Sequence, residues 1–192
     1  MGTDTAAATR ILVAFHSAEG QTAKVAHRVA AVLRDAGATV EVADVSDAPD
    51  PAGFAAVVVG DSIHAGRHSR ALTRWLVRHA EDLTGRKLAL FQVSLASATH
   101  DDAHWTEAHR YLQSLVDVAG VHPDAVGLFA GSLAYTRYGW FKKRLMRGIA
   151  ERTGEPTDTT QDHEFTDWDE VEHFARDVYA LVTTGAVPAP IG

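Results

Sequence analysis

Five short apolar runs alternate with helical stretches along this chain, and that alternation constrains its fold more than any other feature. The runs are Ile11–Phe15, Thr39–Val45, Ala55–Gly60, Lys87–Val93 and Ala125–Ala130. Ala55–Gly60 (AAVVVG) is apolar throughout, as a strand covered on both faces must be. Thr39–Val45 (TVEVADV) alternates, which suits an edge. Between the runs, apolar residues recur at helical spacing over Gly20–Ala36, Ser69–Asp82 and Ala103–Ala119. A last helix is predicted to begin with Thr166 as N-cap and Asp169 three residues on. Strands that alternate with helices in this way build a parallel α/β sheet with helices on both faces.

The length of 192 residues predicts one domain with a full core. Residues 1–9 read as a disordered lead-in, 10–184 as the domain, 135–165 as an inserted basic segment, and 185–192 as a tail. There is no cysteine, which excludes disulfides, thiolate zinc sites and a cysteine nucleophile. No signal peptide and no membrane span is legible, so the expected location is the cytoplasm, with peripheral contact at the inner face of a membrane left open. The net charge of −7 disfavours nucleic acid as a partner.

The chemistry is expected where apolar runs end in small polar loops. Arg10–Thr22 (RILVAFHSAEGQT) reads as a buried strand that enters a hydroxyl- and glycine-bearing loop and then opens a helix. Such a junction cradles phosphate with neutral groups, because the first helical N–H groups and the positive dipole end face the anion. Ser17 and Thr22 offer hydroxyls, and Gly20 lets the backbone approach closely. Asp61–His68 and Ser94–Asp102 are loops of the same sort. Three such loops on one sheet edge favour a ligand with an anionic tail and a flat head, bound outside the strands' carboxyl ends. The glycine–lysine P-loop, the dinucleotide G-x-G-x-x-G and the G-x-S-x-G elbow are all absent.

These residues resemble the flavodoxin-like family, in which hydroxyl and backbone donors hold the phosphate of FMN. The likeness is closer to its quinone-linked branch, the menaquinone-dependent protoporphyrinogen oxidases. It is carried by Gly20-Gln21-Thr22, Gly60-x-Ser62-Ile63-x-x-Gly66 and Val93-x-Leu95, then by Ala130-Gly131 and Tyr135-x-Arg137-Tyr138-x-Trp140. Glu155-x-Thr157-Asp158-Thr159, Thr166-Asp167-Trp168 and Phe174-Ala175-Arg176 complete it. The resemblance implies a flavodoxin-like, doubly wound five-stranded sheet in the order 2-1-3-4-5, with an extra helical insertion after strand five.

It also implies an FMN oxidoreductase of haem biosynthesis that takes hydrogens from a porphyrinogen and gives electrons to a quinone. A flavodoxin-like electron carrier docking on redox partners is the alternative. Carried over by position, Ser17, Ala18, Glu19, Gly20, Gln21 and Thr22 would hold the phosphate. Ser62, Ile63 and His64, with Gly66 in the same loop, would border the isoalloxazine, and Ser94, Leu95 and Ala96 would lie on its other side. No side chain is required as an acid or base. His64-Ala65 stands where that branch tends to have Arg-Tyr, and Ser94 where it tends to have Asn. Neither ring-side loop contains Trp, Tyr or Phe, which leaves room for a bulky partner.

Tyr135–Arg152 holds six basic residues against one acidic one, Glu151, together with four aromatics. It reads either as a surface helix from about Trp140 packed on its own domain or as an electropositive docking face for an anionic membrane or a carboxylate-bearing porphyrin. His64 and His68, like His100 and His104, have a spacing found in metal sites but no evident third ligand, and are read as solvated polar residues. Trp75 and Trp168 are expected in the core. Asp44 would suit a ribose only in a dinucleotide fold.

Overall fold

The computed structural model describes residues 9–64, 66–94, 102–133 and 163–186, with the side chains of 102–105, 132, 133 and 163 excepted. Five strands, β1 (Arg10–Phe15), β2 (Thr39–Asp44), β3 (Ala56–Ser62), β4 (Lys87–Ser94) and β5 (Ala125–Ala130), form one sheet in the order β2-β1-β3-β4-β5. Every pairing in it is parallel, as the resemblance implied. The helices are α1 (Gln21–Asp35), α2 (Arg70–Arg78), α3 (Ala80–Leu83), α4 (Asp102–Ala119) and α5 (Trp168–Thr184). Two short strands, β6 (Ser132–Leu133) and β7 (His163–Glu164), pair antiparallel beyond β5. The helix read from about Trp140, and the rest of the insertion, lie outside the described residues.

Side chains alternate across each strand, so the sheet has two cores. Ile11, Val13, Val58 and Phe91 face α1 and α5, whose Val25, Val29, Leu33, Val171, Phe174 and Val178 close over them. Leu12, Val57, Val59, Leu88 and Leu90 face the other way, under Leu72, Trp75 and Leu76 of α2 and Leu112 and Leu115 of α4. The central strands are buried on both faces, which is why their sequences are continuously apolar. Gly60 is fixed by packing: it pairs with Phe91, and a Cβ there would stand 2.0 Å from that ring's Cζ. Trp75 lies in the core, 4% exposed, and Trp168 packs half-buried against the α1/α5 side.

Three boundaries differ from the sequence reading. β3 runs on through Asp61 and Ser62, which pair with Gln92 and Val93. Backbone pairing does not need apolar side chains, so the polar pattern marked the loop too early. The helix expected over Ser69–Asp82 is two helices. At His79 the backbone leaves helical geometry (φ −106°, ψ 12°), ending α2 and starting the single turn of α3. The cap of the last helix is Asp167, not Thr166. Asp167 accepts the N–H groups of Asp169 (2.9 Å) and Glu170 (3.3 Å), while Thr166 points inward for another purpose. Among the described residues, no helix is long and apolar enough to cross a membrane.

Candidate functional site

The carboxyl ends of β1, β3, β4 and β5 lie side by side, held by Phe15↔Gly60, Ser62↔Val93 and Ser94↔Ala130. The strand order reverses at β1: α1 leads outward to β2, and the chain then returns to β3 on the other side of β1. A crevice at such a reversal is where open parallel sheets take ligands. His16 extends the β1–β3 ladder by one bond, its N–H donating to the Gly60 carbonyl at 2.9 Å. The loop that follows is therefore anchored at its first residue.

Ser17 Oγ accepts the Gly20 N–H at 3.0 Å and folds the loop back on itself. Gly20 has φ 99°, a left-handed conformation that favours glycine. As the N-cap of α1, Gly20 has no side chain to occupy the helix end. No side chain caps α1, and no acidic residue lies in its first turn. Its orphan N–H groups and positive dipole end are thus left for an external anion. The Ser17 hydroxyl can still donate its own proton while accepting from Gly20.

Gln21 and Thr22 are both buried, at 6% and 1% exposure. The Gln21 amide donates to Thr166 Oγ1 at 2.8 Å, and Thr166 donates to the Ala130 carbonyl at 2.7 Å. Gln21 therefore offers a ligand its main chain only. Thr166 positions the start of α1 from across the fold. The sequence marked it as a cap, because a threonine before an acidic helix start has the same spelling in both roles.

Lys24 is the cation nearest the loop in sequence. Its Nζ lies 2.6 Å from Glu164 Oε2. That bond, with a further hydrogen bond from Trp168 Nε1, holds the Glu164 carboxyl below its ordinary range against the opposing effect of burial. The Lys24 charge is thereby engaged by Glu164 and is not left free for the loop. Asp44 is engaged by Ser46 through Oδ1, and its Oδ2 lies 3.5 Å from His16 Nδ1, which has no hydrogen-bond partner.

On the β3 side, Ile63 donates its N–H to the Val93 carbonyl at 2.9 Å. His64 and Arg67 then exchange backbone bonds of 3.0 and 3.1 Å across a tight turn that contains Gly66 at φ 71°. Ser62 Oγ is buried and has no hydrogen-bond partner. An unsatisfied hydroxyl at this edge is the kind of group a ligand's polar atoms would complete. Fully buried Asp61 accepts the Ser69 N–H at 2.7 Å and lies 3.2 Å from His68 Nδ1. The pair His64 and His68 thus divides between a backbone turn and a buried carboxylate.

On the β4 side, Ser94 is buried, and its carbonyl accepts the Gly131 N–H at 3.0 Å. Leu95, Ala96 and His100 lie outside the described residues, and the side chain of His104 is not described. The structure brings Ser62, Ile63, His64 and Ser94 to the same sheet edge as the Ser17–Thr22 loop. Asp61, His68 and Thr166 are the residues that sequence reasoning missed, since each acts through partners distant in the chain.

A family model described as a flavodoxin domain matches residues 12–160. Protoporphyrinogen IX dehydrogenase (quinone) of Escherichia coli strain K12 is 29% identical over 174 residues, covering 90% of this chain and 96% of that protein. The protein of the same name from Leishmania major is 30% identical over 175 residues, covering 90% of this chain and 75% of its own length. An archaeal flavodoxin structure superposes with a TM-score of 0.55 at 16% identity, covering 91% of this chain and 99% of that one. Oxidised flavodoxin 1 of Bacillus cereus gives 0.53 at 17%, covering 90% and 97%. The two structural likenesses agree with the strand order found here.

Proposed function

We propose that this chain, which belongs to the flavodoxin-domain family, is an FMN-dependent oxidoreductase that takes electrons and protons from a porphyrinogen and delivers them to a quinone. The substrate and acceptor are those in the names of its Escherichia coli and Leishmania relatives. The observation that carries the reading is the bare start of α1, with left-handed Gly20 and neither a side-chain cap nor a first-turn acid. A helix end left in this state suits a phosphate.

The electron chemistry belongs to the flavin. The chain's part is to bind and orient. Main-chain N–H groups of Ala18, Glu19, Gln21 and Thr22, with the hydroxyls of Ser17 and Thr22 and the open backbone at Gly20, would hold the phosphate. Ser62, Ile63, His64 and Gly66 would border one side of the ring, and the unpaired Ser62 hydroxyl would gain a partner there. Ser94, Leu95 and Ala96 would border the other. The domain would be a single unit over residues 10–184. Tyr135–Arg152 would give cytoplasmic protein a peripheral contact with the bilayer that carries the quinone.

Purified protein is expected to bind FMN with the yellow flavin spectrum and to convert protoporphyrinogen anaerobically with a menaquinone analogue. Ser17→Ala should weaken FMN binding about tenfold, roughly the 1.4 kcal/mol expected for losing a charge-assisted hydrogen bond. A colourless protein indifferent to added FMN would overturn the reading. Flavin binding with one-electron cycling but no turnover would identify an electron carrier instead.

A further inference from the structure

We propose that the cavity between the β3–α2 turn and α4 receives the carboxylate-bearing edge of the tetrapyrrole substrate. This rests on the oxidoreductase reading above and adds a recognition site to it. The cavity holds about 480 Å³. Its polar walls are Arg67 and His68 of the turn, Thr73 of α2, and Arg110, Tyr111 and Ser114 of α4. Further along α4 the lining turns apolar, at Leu115 and Val118.

The cavity adjoins the ring-side loop through the chain itself. Gly66 and Arg67 complete the tight turn that begins at His64. That turn is pressed on α4: a Cβ at Gly66 would stand 3.3 Å from the Tyr111 hydroxyl. A ligand lying across the turn would therefore touch the cavity and the Ile63–His64 edge together.

The lining carries two guanidinium groups and no carboxylate. Arg110 lies 3.6 Å from Glu107, outside the lining, and 5.4 Å from the centre of the Tyr111 ring. Glu107 also accepts the Tyr111 O–H. Burial, and then this carboxylate, raise the Tyr111 pKa, so the phenol stays protonated and adds no charge. Arg67 is exposed and forms no ion pair among the described residues. Beside it, the His68 side chain is 6% exposed, with Nδ1 directed at Asp61 and Nε2 lacking any partner. One uncompensated cation and one unsatisfied buried nitrogen both call for an acidic group.

The apolar part decides which acid. Val118 is 62% exposed, one of two large hydrophobic side chains so exposed among the described residues. An inorganic anion would use the arginines and leave exposed Val118 idle. A quinone ring would use the apolar wall and leave the arginines idle. An apolar macrocycle with carboxylate arms uses both, with Tyr111 as a surface for its pyrrole rings.

The test measures binding of protoporphyrin IX and of its dimethyl ester to FMN-loaded protein by quenching of tryptophan fluorescence. Wild type is expected to bind the free acid at least tenfold more tightly than the ester. Arg67→Glu should abolish that preference, and Arg110→Glu should reduce it. Neither should change ester affinity, FMN content or melting temperature, since both side chains are exposed. Equal binding of acid and ester by wild type would overturn the proposal, as would a full preference in both variants. Failure of the wild type to bind FMN or turn over protoporphyrinogen would defeat the oxidoreductase reading, whereas the acid-over-ester comparison can still be made on the flavin-free protein.

Discussion

Helices α1 and α5 lie side by side on the same face of the sheet, and Gln21 in the first turn of α1 donates to Thr166, the residue before the α5 cap. They solve the same electrostatic problem in opposite ways. α5 carries its own anions: Asp167 caps two N–H groups, and Asp169 and Glu170 fill the first turn. α1 carries none, its cap being a glycine without a side chain. One helix start is capped by its own sequence, and the other has no side-chain cap. The contrast teaches that an under-provided helix end, set beside a fully provided one, is the feature on which the proposed binding site rests.

Breaking the contrast at Gly20 should have the largest effect. Gly20→Val forces a β-branched residue into a left-handed conformation, costing about 1–2 kcal/mol of stability, and should lower FMN affinity on the order of 100-fold by closing the cradle. Flavin titration and a thermal melt would report both. Ala23→Asp makes the α1 start resemble that of α5. It should raise the stability of the flavin-free protein by about 0.5 kcal/mol while reducing FMN affinity roughly tenfold. A variant that gained stability and kept its affinity would show that no anion binds there.

The converse change is Asp167→Ala, which strips α5 of its cap. It should cost about 1 kcal/mol in urea unfolding and leave FMN affinity unchanged. The smallest effect concerns the tie between the two starts. Glu164 is held below its ordinary pKa of 4.5, first by the bond from Lys24. The resulting stabilisation is therefore present above pH 4.5 and is lost as pH falls through the lower, folded value. Lys24→Met should remove it, lowering stability at neutral pH by less than about 1 kcal/mol for so exposed a pair and flattening the acid limb of the stability profile. An unchanged acid limb would mean that Lys24 and Glu164 do not interact in solution.

The strands were legible because a sheet covered on both faces writes itself as apolar runs, and α1 because its buried stripe repeats faithfully. The strand–loop–helix junction at Ser17–Thr22 was legible because glycine and hydroxyl residues stand next to a strand end. What escaped depended on partners distant in sequence. Thr166 spells a helix cap, yet its hydroxyl joins Gln21 to the Ala130 carbonyl. Asp61 spells a loop, yet it lies in the ladder and is fully buried against His68 and Ser69. The break at His79 has no glycine or proline to announce it. In each case local spelling was compatible with two geometries, and the tertiary contact chose.

The bond between Gln21 and Thr166 spans 145 positions. A ribosome making this protein completes the first helix early, but the clasp that orients that helix's mouth arrives 145 residues after Gln21. Contacts so remote form slowly, because a long loop must close first. With the proposed cofactor supplied, a refolding mixture should therefore develop flavin quenching after, never before, its helical signal is recovered.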